Sequence, residues 1–145
     1  MAPKKNDKTK QDEDNGKDEV AAYYFPDGSR YDGQLLRREN GQLRRNGNGV
    51  FVDTCATYDG QWAEDEMCGE GSMEFDSGSN YVGEFLNNMF HGKGQYTWAD
   101  GSYYSGYWRA NHMHGEGVYS EANGRKWYGK FYDGEGQDLR VVDGI

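Results

Sequence analysis

The chain has no run of 18 or more apolar residues, so no membrane-crossing helix is expected. Met1 to Lys10 is charged and holds no apolar stretch, so no secretory leader is expected either. Cysteine is scarce. Cys55 and Cys68 are the only two, and two thiols without an export signal read as reduced and intracellular. Leu, Ile and Val are too few to fill a compact core. Base is short as well, with 16 Lys and Arg against 25 Asp and Glu and a formal net charge of -9. That excess of acid argues against nucleic acid as a partner and disfavours anionic lipid headgroups. No segment carries a helical period. No nucleophilic serine motif or phosphate-binding loop is present, and the Gly-x-Gly pairs lack the third glycine, helix and distal acid of a dinucleotide fingerprint. Nothing places two acids in a pocket that would separate their pKa values. Neither catalysis nor a cofactor is expected.

What the chain does have is rings and glycines: aromatics make up 15% and there are 22 glycines in 145 residues. They recur. Tyr58-Asp59-Gly60-Gln61-Trp62 returns as Tyr81-Val82-Gly83-Glu84-Phe85, then Tyr104-Ser105-Gly106-Tyr107-Trp108, then Trp127-Tyr128-Gly129-Lys130-Phe131, each 23 residues on. A second element follows in three copies, Gly69-Glu70-Gly71, Gly92-Lys93-Gly94 and Gly115-Glu116-Gly117. Gly78, Gly101 and Gly124 each precede the next copy by three residues. A fixed period of this length marks a repeat architecture.

Residues 1–20 read as a disordered tail, since the chain through Glu19 has five Lys and six acids and almost nothing to bury. Residues 21–30 form a half-repeat. Repeats follow near 31–57, 58–80, 81–103 and 104–126, then a truncated one at 127–137, and 138–145 is expected to cap the array or fray. The first repeat is irregular. Gly47-Asn48-Gly49 lies 14 residues beyond Gly33 rather than nine, with the extra residues within Arg37–Arg45.

Within a unit, Tyr81, Gly83 and Phe85 alternate with Val82, Glu84 and Leu86, which is the period of a strand. Gly92, Gly94, Tyr96 and Trp98 then share one side of a second strand, and Asp100-Gly101 supplies a tight turn. One unit is one hairpin. The expected fold is all-β, a single elongated, twisted antiparallel sheet with Tyr58, Trp62, Tyr81, Phe85, Tyr104, Trp108, Trp127 and Phe131 in a ladder on one face. Two readings of that ladder stand. The rings pack on one another in place of a core, or they also form a groove for a partner peptide or helix.

Tyr-x-Gly-x-Trp/Phe, then Gly-x-Gly, then Asp-Gly at this period resembles the MORN repeat, over about Tyr24 to Phe131. The stretch from Tyr81 to Phe131 is similar to small MORN-only proteins of ciliated and germ cells. The resemblance implies a non-catalytic scaffold or adaptor, and it points to a cilium, flagellum (axoneme) or other cytoskeletal assembly. Such repeats also occur in radial-spoke heads, in junctional membrane proteins and beside lipid-kinase domains.

Two further groups remain. Cys68, His91 and His114 hold equivalent repeat positions, but equivalent positions lie roughly 10 Å apart, two strand spacings. One ion with bonds near 2 Å cannot bridge that, so no metal is expected. Arg37, Arg38, Arg44 and Arg45 sit in the irregular repeat, whereas residues 46–92 contain no Lys or Arg. This basic loop reads as solvated surface, as a dock for an acidic partner, or as a contact for a phosphoinositide. The open edges of such a sheet also leave a homodimer open.

Overall fold

The structure is a computed structural model and describes residues 16–142. They form one antiparallel sheet whose eleven strands neighbour one another in sequence order. The strands are β1 (Lys17–Tyr24), β2 (Arg30–Arg37), β3 (Leu43–Val52), β4 (Ala56–Ala63), β5 (Glu66–Phe75) and β6 (Asn80–Leu86). They continue as β7 (Met89–Thr97), β8 (Tyr103–Arg109), β9 (His112–Ser120), β10 (Lys126–Tyr132) and β11 (Glu135–Val142). There is no helix among the described residues, and the two outermost strands do not pair with each other, so the sheet is open.

Two kinds of turn alternate, and they define two long edges. On one edge, Glu64-Asp65, Asn87-Asn88 and Ala110-Asn111 join strands through two residues with φ between 45° and 69°. Both central residues of such a turn are left-handed, which suits the right-handed twist of a hairpin. On the other edge lie longer turns closed by Gly28, Gly78, Gly101 and Gly124, all with φ near 90°. In three of these the buried Ser29, Ser79 and Ser102 accept a backbone N–H from Phe25, Phe75 and Trp98.

The core is built on a row of glycines. From β2 to β10, Gly33, Gly49, Gly60, Gly71, Gly83, Gly94, Gly106, Gly117 and Gly129 are successive cross-strand partners. Tyrosine rings lie over this row. A Cβ built on Gly71 would stand 2.7 Å from the Tyr58 hydroxyl oxygen, and one on Gly117 would stand 2.5 Å from a Tyr104 ring carbon. Tyr31, Tyr58, Tyr81 and Tyr104 are thereby buried to 1% exposure or less. Their hydroxyls donate to the carbonyls of Gln34, Gln61, Glu84 and Tyr107 at 2.6–2.9 Å, so burial leaves no phenol unpaired.

Four features differ from the sequence reading. Lys17 to Val20 belong to β1 rather than to the tail, because they pair with β2 and Glu19 binds Arg37. The rest of the expected tail, through residue 15, lies outside the described residues. The last unit is a full hairpin, since Asp138 to Val142 continue β11. Residues 143–145 are outside the description. Gly92 does not share a side with Gly94. The pairing slips between Gly83 and Phe85, Gly92 takes φ +68°, and a Cβ there would meet the exposed Glu84 carboxyl, on the face opposite the rings. Trp127 leaves the ladder. Only half-buried, it donates Nε1–H to Glu121 at 2.7 Å, while Leu139 packs over Gly129 and Gly136 in the place of a tyrosine ring.

Candidate functional site

The ring face has two tiers. In the lower tier Trp62, Phe85, Trp108 and Phe131 stand edge-on to the tyrosines of their own or the preceding repeat, at 4.7–5.6 Å between centroids. All four are at most 7% exposed. The indoles of Trp62 and Trp108 donate to the carbonyls of Gly49 and Gly94 at 3.0 Å. Seven of the eight predicted ladder residues are thus core, and of these Tyr58, Trp62 and Trp108 also form part of the lining of cavities on that face. The first repeat extends this core with Tyr31 and Leu35.

Above the core on the same face lies a second tier. Phe25, Phe51, Met67, Met73, Phe90, Tyr96, Trp98, Met113 and Tyr119 are partly buried against the core. Phe90 lies flat on Tyr81, with centroids 3.9 Å apart and planes 13° apart. These residues were missed although they keep the period. Met67, Phe90 and Met113 are 23 residues apart, as are Met73, Tyr96 and Tyr119. The signal was hidden because Met67, Phe90 and Met113 lie between the short turns and the slipped pairing, where simple alternation breaks down.

Three cavities open along this tier. One of about 370 Å³ lies among Tyr23, Phe25, Leu43, Arg45 and their neighbours at the β1 end. One of about 210 Å³ lies among Phe51, Met67 and Met73, and one of about 250 Å³ among Phe90, Tyr96, Trp98 and Met113. Flexible thioethers beside rings make a floor that can repack against different apolar shapes.

The predicted arginine loop is not an open basic patch. Arg37 binds Glu19 at 2.6 Å, Arg38 binds Glu64, and Arg44 lies 3.7 and 3.8 Å from Glu64 and Asp65. Arg45 meets Asp65 at 3.2 Å and covers the Trp62 ring at 4.2 Å. The Arg37 guanidinium holds the Glu19 carboxyl below its ordinary pKa. Each arginine therefore already faces a carboxylate of this chain, which weakens the case for docking phosphoinositide or an acidic partner. Among the described residues no group of three His, Cys, Asp or Glu could hold a metal ion.

Residues 58–80, 81–103 and 104–124 match the MORN repeat. The chain carries MORN repeats. The three matched units correspond to the regular hairpins β4–β5, β6–β7 and β8–β9, each with the turn that follows. A comparison with curated proteins finds no match. MORN repeats are non-catalytic modules that generally mediate protein or membrane interactions.

Proposed function

We propose that this MORN-repeat chain is a non-catalytic scaffold that holds a helix or extended peptide of a protein partner on its second-tier face. The observation that supports this most is the set of three cavities on the ring face, the second and third of them lined by equivalent residues two repeats apart. A protein partner is preferred to a membrane because the net charge is -9 and the arginines are engaged by carboxylates. An intracellular place in a ciliary or cytoskeletal assembly rests on the family resemblance and is tested separately by imaging a tagged chain. The binding reading is tested by Trp98→Ala and Met113→Ala, with Val82→Ala on the opposite face as control. Partner affinity should fall at least ~10-fold in the first two and stay unchanged in the control, as for buried anchors at interfaces. Equal affinity in all three folded variants would remove the face from consideration.

A further inference from the structure

The second-tier groove is flanked by charge on both sides, but Arg45 and Asp65 on the short-turn side pair with each other, whereas, among the described residues, the carboxylates on the long-turn side do not. Along the long-turn edge Asp27, Asp53, Asp76 and Asp100 are exposed, one to a turn. Their positions are fixed by the turns themselves. Asp27 and Asp100 each accept the hydroxyl and N–H of the serine two residues on, and Asp53 accepts the N–H of Cys55 and Ala56. Among the described residues none of the four is in an ion pair. Successive carboxylates are two strand spacings apart, about 10 Å.

The groove thus has a floor of rings and thioethers and, along its long-turn edge, a row of carboxylates at a pitch of about 10 Å. We propose that it takes a basic amphipathic segment of another protein, with apolar side chains in the cavities and Lys or Arg along the long-turn carboxylates. In a helix lying across the strands, that pitch corresponds to about six or seven residues, at 1.5 Å rise per residue. This inference rests on the scaffold reading above and narrows its partner. Residues 1–15 and 143–145 contain no aromatic residue and few apolar ones, so their composition offers little to fill the cavities. A second copy, at net charge -9, brings the wrong sign.

The test uses the full chain and three labelled 21-residue probes in fluorescence anisotropy. One is an amphipathic Leu/Lys helix, one its Leu/Glu counterpart, and one a scrambled Leu/Lys peptide. The amphipathic Leu/Lys probe should bind, and the other two should bind at least ~10-fold more weakly. Combining Asp53→Asn, Asp76→Asn and Asp100→Asn should weaken it ~10-fold at low salt, with little difference from wild type at high salt. The amides keep the Oδ1 acceptor, so the turns should persist, and circular dichroism checks this. Trp98→Ala should also weaken binding. The proposal is overturned if the Leu/Lys probe fails to bind, if the other probes match it, or if the triple variant binds like wild type. A Leu/Glu probe that binds and is lost on Trp98→Ala would overturn the basic partner and leave the scaffold reading standing. Natural partners that ignore Trp98→Ala would sink that reading too.

Discussion

At Gly94 the backbone has no room for a side chain, because the Tyr81 ring occupies the space a Cβ would need. Gly124 is the opposite case, with open space around it but φ of +91°. Gly94→Ala must push a buried ring out of place and should cost about 3 kcal/mol or more. Gly124→Ala meets only backbone strain, about 1 kcal/mol. Chemical denaturation of the two variants checks the order, and a Gly94→Ala as mild as Gly124→Ala would contradict the packing account. The same rings predict an alkaline limit. Burial raises the Tyr31 and Tyr104 pKa values from 10.0 to about 12, and raises those of Tyr58 and Tyr81 as well. Above pH 10 the unfolded chain releases phenol protons that the folded chain keeps, so stability falls as pH rises from 10 toward 12. Tyrosinate absorbance and circular dichroism should change together over that window. The match between rings and glycines was legible in the sequence, because both recur at fixed offsets.

At the scale of the hairpin, the second residue of each short turn ties its repeat to the one before. The Asn111 N–H donates to the Phe90 carbonyl at 3.0 Å, and the Asn111 carboxamide oxygen accepts the Phe90 N–H at 2.9 Å. Asn88 makes the same pair of bonds with Met67, and Asp65 with Arg45. At Gly134 only the backbone bond, to Met113, remains. Asn111→Ala removes the acceptor and places alanine at φ +69°, so it should cost about 2 kcal/mol. Asn111→Gly tolerates that φ and should cost less. Hydrogen exchange at the Phe90 amide should speed up in both. The hairpins were readable from alternation and turn residues, but the clamp was not. It joins residues about 20 positions apart through a turn that reads only as polar. The slip at Gly92 was hidden for a related reason, since a bulge changes which face a glycine occupies without breaking the Gly-x-Gly spacing.

Across the whole molecule, a single sheet keeps a core by stacking two tiers of side chains on one face. The sequence pointed to the face and to a packed ladder of rings, but not to the second tier above it, since alternation assigns sides and says nothing about depth. Trp62 and Trp108 look like exposed anchors until Met67, Met113, Tyr96 and Arg45 are seen beside them. The ion pairs of the arginine loop were not legible in the sequence, because Glu64 and Asp65 reach Arg38, Arg44 and Arg45 from the neighbouring hairpin. The central claim is that this face holds a protein partner. The most direct measurement places a photo-crosslinking amino acid at Trp98 or Met113 in the groove, or at Val82 on the opposite face, in living cells. One discrete crosslinked protein is expected from both groove positions and none from Val82. The same adduct from Val82, or none from either groove position, would contradict the claim.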